Sequence, residues 1–342
     1  AMESIFDESS MYLFVGTYTS GESEGIYVYQ FDTISGYSKY LSMAKVDNPS
    51  YLTISPNEKF VYSVTENADN TSAVNAFSFD KTEGKLKLLN TKFTGGGAPC
   101  YIEIDKSGKH IITANYLGGN ISLFETNDDG SLKPSSNTTT FQGRGIDSTR
   151  QTQPHLHCVK FSPDGKHLFA SDLGTDKIYK FDINTSSPGN YMKIGSPASY
   201  KLKDGSGPRH ITFHPNGKFA YLITELSGDV IAFDYNEGNL TEIQIMKADT
   251  LNAQGSADIH VSPDGRYLYA SNRLQGDGIA IFSINQNDGK LTKIGYQETG
   301  VHPRNFAIAP NGRYLLCASR DSDIIQIFEI DRKTGLLENV YK

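Results

Sequence analysis

Short runs in which apolar and polar residues alternate, broken by turn residues, repeat along the whole chain. Residues 157–173, HCVKFSPDGKHLFASDL, show the unit as a strand, a Ser-Pro-Asp-Gly turn and a second strand. Alternation with a period of two between such turns predicts half-buried antiparallel strands, and no 3.6-residue periodicity of useful length competes with it. Relatives of this unit are YLTISPNEKFVYSVTE, YIEIDKSGKHIITANY, HITFHPNGKFAYLITE, IHVSPDGRYLYASNR and FAIAPNGRYLLCASR, and MYLFVGTY opens another copy part-way through. Third strands follow, as in KIYKF and DVIAF, and several are trailed by a glycine turn and a fourth, as in NDGKLTKI. The residues after the first strands, Pro56, Lys106, Pro163, Pro215, Pro263 and Pro310, mark a period of roughly 50 residues, which with four strands per repeat is the signature of a β-propeller.

The pattern therefore predicts an all-β protein, a seven-bladed β-propeller of mostly four-stranded antiparallel blades, folded as a single domain over residues 11–342. Residues 1–10 read as an N-terminal extension in which Ala1, ahead of Met2, is a cloning remnant. Since the first copy lacks its opening strand, either the residues before Met11 supply it or the first blade has three strands. Between the third and fourth blades, GSLKPSSNTTTFQGRGIDSTRQTQ is too long for an ordinary loop and is expected to be mobile or functional.

Composition narrows the class. With 32 basic and 39 acidic residues, net charge −7 and no run of like charge, neither nucleic acid nor a membrane surface is an expected partner. No apolar stretch approaches a membrane span, and AMESIFDESS lacks the basic and apolar regions of a signal peptide. Three cysteines, Cys100, Cys158 and Cys317, lie far apart without CxxC spacing, which suits a reduced, cytoplasmic protein. The outer strands are too polar and irregular to mark a subunit interface.

Chemistry enters through the repeat register. The start of a blade's first strand and the end of its antiparallel second strand share one face of the disc. At the first position the copies carry Ser50, Cys100, His157, Arg209, Ala257 and Arg304; at the second, Glu66, Tyr116, Leu173, Glu225, Arg273 and Arg320, with Tyr18 in the partial copy. Packing alone does not call for so many arginines, glutamates and histidines in two columns, so these polar residues are expected to ring one mouth of the central channel. Five histidines, His155, His157, His210, His260 and His302, also sit near first-strand entries. Interleaved arginines favour an anion over a metal ion, because guanidinium offers a planar fork of donors to carboxylate or phosphate. No metal and no cofactor is expected.

The segments GGAPCYIEIDKSGKHIITANYLGGNISLF, QPHLHCVKFSPDGKHLFASDLGTDKIYKF and GSGPRHITFHPNGKFAYLITELSGDVIAF resemble the lactonase-type seven-bladed propellers, which comprise bacterial 6-phosphogluconolactonases and carboxymuconate cyclases. PHLH, GPRH and Glu225 sixteen residues after Arg209 carry the resemblance; SPDGK alone would not. The family's proposed active-site groups, a histidine, two arginines and a glutamate, match His157, Arg209, Arg273 and Glu225. The resemblance implies hydrolysis of 6-phosphoglucono-δ-lactone to 6-phosphogluconate, in the pentose phosphate pathway of glucose metabolism, with a small anionic sugar lactone as partner. Glu225 or His157 would be the general base toward water, Arg209 and Arg273 would hold the developing oxyanion or the ring oxygens, and Arg304, Arg320 and Arg150 would be candidates to bind phosphate. Glu66, Tyr116 and His210 join the expected substrate-binding ring, and His155 is expected at its mouth. No GxSxG elbow occurs, which disfavours an acyl-enzyme. Two alternatives stand beside this reading: a hydrolase or cyclase for another sugar-acid or carboxylated lactone, and a non-catalytic ligand-binding propeller.

Overall fold

The computed structural model describes residues 1–7, 9–186, 189–319 and 324–341. Among them the chain forms seven four-stranded antiparallel sheets, each built from four strands consecutive in sequence, and no helix. First strands run Met2–Asp7, Leu52–Ile54, Pro99–Ile104, Leu156–Phe161, Pro208–Phe213, Ser256–Val261 and Asn305–Ile308. They adjoin one another in that order, and the last meets the first. The result is a closed seven-bladed propeller with these strands around its axis.

The opening strand missing from the first sequence copy is Met2–Asp7, paired along its length with Ser10–Val15. Most of the segment set outside the domain as an extension is therefore the inner strand of blade 1. Because every blade is contiguous, ring closure depends on side chains instead of a shared sheet. Asn311 Nδ2 donates to the Thr33 carbonyl at 2.9 Å, Tyr314 Oη donates to the Ile34 carbonyl at 2.8 Å, and the Phe31 and Tyr314 rings meet edge to face at 5.5 Å.

Middle strands are buried on both sides, as in Phe219–Thr224, whereas outer strands such as Met192–Lys201 are largely exposed. Apolar side chains of adjacent blades interlock between the sheets, so one blade cannot bury its faces alone. A recurrent polar contact adds orientation: Tyr62, Tyr221 and Tyr269 each donate a hydroxyl hydrogen bond of 2.7 Å to a turn carbonyl of the next blade, at Gly130, Gly289 and Gly335. The Ser-Pro-Asp-Gly turn is held by its own side chains. Asp164 Oδ1 accepts from Ser162 Oγ and the Lys166 amide, and Gly165 takes the left-handed φ of 71° that closes the turn.

Of the long segment between blades 3 and 4, Asn137–Thr140 forms the outer strand of blade 3. Gly130 and Leu132 pack against blade 2 and the turn after the third strand of blade 3, and the part that follows Thr140 brings Arg150 to the channel. Cys158 and Cys317 are fully buried in apolar clusters between blades.

Candidate active site

The two register columns converge for a backbone reason that no residue spacing reveals. In blade 4, Leu156 pairs with Asp172 and Cys158 with Ser171, so His157 is an extra, unpaired residue. Blade 5 repeats this at Arg209, between Pro208 and His210, and blade 3 at Cys100, between Pro99 and Tyr101. A bulge at this point turns the extra side chain off the sheet face, here into the channel. His157, Arg209 and Cys100 all line a cavity of about 290 Å³ together with Glu66, Tyr116, Arg150, Glu225, Gln254, Arg273, Leu274 and Arg304.

At its centre lies the Glu225 carboxylate. Oε1 accepts from Arg209 Nε at 2.9 Å and from Arg273 Nη2 at 3.0 Å, and Oε2 accepts from Arg150 Nη2. Backbone carbonyls take further guanidinium donors: Arg209 Nη1 reaches Ala257 O at 2.6 Å, and Arg273 Nε reaches Gly255 O at 2.9 Å. Burial alone would push the Glu225 carboxyl up, but the Arg209, Arg273 and Arg150 guanidiniums hold it down at about 2. It stays ionised and acts as the hub that spaces three arginines.

His157 is in the opposite condition. Burial, and next the positive charge of Arg209, hold its imidazole well below the ordinary histidine value, so it is neutral near pH 7. Its Nδ1 lies 3.7 Å from Cys100 Sγ, and its ring meets those of Tyr116 and His210 edge to face at 5.6 and 5.2 Å. The Cys100 thiol is pushed up by burial, which keeps it protonated.

Arg304 stands on the other side of the cavity. It lies over the Tyr18 ring at 5.1 Å, and its Nη2 is 3.8 Å from Glu66 Oε1, which also accepts from Tyr18 Oη and Ser50 Oγ. Among the described residues lining the cavity, four guanidiniums thus face two carboxylates. The surplus of two positive charges suits a dianion and opposes a cation. No group of His, Cys, Asp and Glu among the described residues could hold a metal ion.

Other expected residues fall differently. His155 does not reach the cavity wall: it stacks on Tyr116 at 4.2 Å and its Nδ1 meets the Tyr116 carbonyl at 2.8 Å, so it supports that wall from behind. His210 lines the adjoining inner cavity, with Nδ1 at 2.9 Å from Asp258 Oδ1. Leu173, in the same column as Glu225, is fully buried. Arg320 lies outside the described residues. Gln254 and Leu274 are wall residues that the register did not single out; both are exposed and take positive φ, at 57° and 77°. Only the unusual backbone marks them, and that is invisible in a sequence.

Comparison with known proteins places this geometry in context. The model of the family described as "Lactonase, 7-bladed beta-propeller" matches residues 12–342. The chain belongs to that family. Among lactonase-family relatives, the 6-phosphogluconolactonase of Formosa agariphila is 44% identical, over 96% of this chain and 95% of the relative. A crystal structure from Bacteroides fragilis, of a candidate 6-phosphogluconolactonase, superposes with a TM-score of 0.96 at 55% identity, covering 98% of this chain and 95% of that one. The periplasmic gluconolactonase of Pseudomonas aeruginosa superposes with a TM-score of 0.92 at 33% identity, over 97% and 96% of the two chains. Among the described residues of this lactonase-family propeller, no helix is long and apolar enough to cross a membrane.

Proposed function

We propose that this propeller hydrolyses 6-phosphoglucono-δ-lactone to 6-phosphogluconate. The observation that carries the reading is a neutral, buried His157 on the wall of a cavity with two surplus positive charges, in a chain of the lactonase family. His157 takes a proton as a water oxygen attacks the lactone carbonyl. Arg209 and Arg273, aligned by Glu225, stabilise the charge that builds on the carbonyl oxygen. Collapse of the tetrahedral intermediate breaks the bond between the carbonyl carbon and the ring oxygen, which recovers the proton from His157 and leaves as a hydroxyl. The carboxylic acid formed then ionises in water.

Glu225 is a poor alternative base. Both its oxygens already accept from guanidiniums, whose charges hold its pKa down at about 2 and leave the carboxylate a weak base. Arg304 and Arg150 are the two cavity arginines not given to the oxyanion, and we assign them to the substrate phosphate. Glu66 and Tyr116 complete the wall, and His155 and His210 support it. With this substrate the chain serves the oxidative pentose phosphate pathway in the cytoplasm, where three unpaired, buried cysteines are at ease.

A second reading is hydrolysis of unphosphorylated glucono-δ-lactone, favoured by one observation: each cavity guanidinium already has a carboxylate neighbour. The decay of both lactones, with and without protein, separates the two. General-base catalysis should accelerate the phosphorylated lactone by about a hundredfold or more over its spontaneous hydrolysis, and Arg304→Met should erase much of the preference for phosphate. Equal acceleration of both lactones selects the second reading, and acceleration of neither removes both.

A further inference from the structure

Arg150 reaches the site from a loop that has no strand to hold it, yet it is placed against a carboxylate brought by another blade. One anchor of that loop is a buried side chain, Asp176, 1% exposed and at a φ of 59°. Asp176 Oδ1 accepts from Gln151 Nε2 at 2.7 Å and from the Gly207 amide at 2.8 Å, and Oδ2 accepts from the Gly205 amide at 2.8 Å. One carboxylate therefore joins the neighbour of Arg150 to the segment that leads into Arg209.

Both ends of this tie are themselves rigid. Gln151, fully buried, also donates through Nε2 to the Leu173 carbonyl at 2.8 Å, and its Oε1 accepts from the Asp147 amide at 3.2 Å. Asp147 Oδ1 in turn accepts from the Thr149 and Arg150 amides, both at 2.9 Å. A Cβ on Gly145 would come within 2.5 Å of the Gln151 amide group, so glycine is needed for the loop to close over it. On the other side, the Gly207 carbonyl accepts from the Glu225 amide at 2.8 Å. The Asp176 carboxylate thus ties the loop of Arg150 to the turn that leads into Arg209 while touching neither arginine.

We infer that Asp176 and Gln151 are positioning residues that hold Arg150 ready for the phosphate of the substrate. A flexible arginine brought by an untethered loop would have to be ordered by each arriving ligand, which costs affinity; a tethered one is ordered beforehand. This rests on the functional reading above, and it concerns binding of the phosphate more than the chemical step.

The test is a double-mutant cycle on the full chain with Arg150→Ala, Gln151→Leu and Asp176→Asn, measured on 6-phosphoglucono-δ-lactone, with thermal melts to confirm folding. Gln151→Leu and Asp176→Asn should each raise KM by about tenfold while kcat changes by less than about threefold. In the Arg150→Ala background, Gln151→Leu should raise KM by no more than about twofold, because the group it positions is gone. A purely structural role would give the same loss in both backgrounds, and that result overturns the inference. Asp176→Asn is the second variant if Gln151→Leu does not fold, because it keeps an acceptor for Gln151 while losing that for the Gly205 amide. If the wild type hydrolyses neither lactone, the functional reading fails, and the same cycle is run on binding of inorganic phosphate by calorimetry. There, Arg150-dependent weakening by the two variants supports the tether; additive weakening, or no phosphate binding, overturns it.

Discussion

Arg209 Nε and Glu225 Oε1 meet at 2.9 Å across two adjoining strands of blade 5, with the two residues only 1% and 3% exposed. An ion pair so withdrawn from water is worth little by its attraction alone, because desolvating both charges costs nearly as much. Its value lies in what it arranges: the same oxygen accepts from Arg273 of blade 6, and the other from Arg150.

Stability should follow this carboxylate in acid. Its pKa in the folded protein, at about 2, lies below the value of about 4.3 for an unfolded glutamate. The ionised group therefore stabilises the fold above pH ~4.3, and that contribution is lost as pH falls toward ~2. Glu225→Gln, which leaves three guanidiniums facing no charge, should cost about 3 kcal/mol at pH 7, with the gap to wild type narrowing through that acid window. Denaturant unfolding at pH 7, 4.5 and 3 measures it; a gap independent of pH would show that the charge of Glu225 is not what holds the arginines together.

Turnover should be insensitive to pH where an ordinary histidine titrates. Burial and Arg209 keep His157 neutral, so kcat should stay level from pH 8 down through ~6.5 and fall only in more acid solution. His157→Ala should lower kcat by about a hundredfold or more and leave the thermal melt nearly unchanged. An acid limb centred at the free histidine value, or full activity in His157→Ala, would take the base assignment away from this residue.

The N-terminal strand should be integral to the ring. Ile5 is 1% exposed in a cluster with Phe14, Ile26, Val28, Leu52 and Val61, which joins blades 1 and 2. Ile5→Ala should cost about 2–4 kcal/mol, the usual toll of emptying such a site. Chemical denaturation would show it as a lower midpoint with an unchanged slope. A cost under ~1 kcal/mol would mean that the strand at residues 2–7 contributes little to the packed ring in solution.

Much of this architecture is legible in the residues because a propeller blade is a local object. Each of its four strands follows the last through a short turn, so period-two patterning and the Pro-Asp-Gly signals mark blades without long-range information. The first strand of blade 1 escapes the pattern, since MESIFD precedes no Ser-Pro-Asp-Gly turn and only two residues separate it in sequence from the next strand. The loop carrying Arg150 escapes in another way: its order comes from Gln151 and Asp176, which are 25 residues apart and share no motif.

By itself, then, the chain's pattern determined the number of blades, their order and the two columns from which Glu225, His157, Arg209 and Arg273 come, because those follow from local alternation and register. Tertiary structure alone decided which residues of the columns act together. Bulges at Cys100, His157 and Arg209 turn the side chains into the channel, and ring closure brings Arg150, Arg209 and Arg273, from three different parts of the chain, onto one carboxylate. The same convergence sets the charge state of each group. An isolated glutamate and histidine would titrate near their ordinary values; buried among guanidiniums, Glu225 is held ionised and His157 neutral.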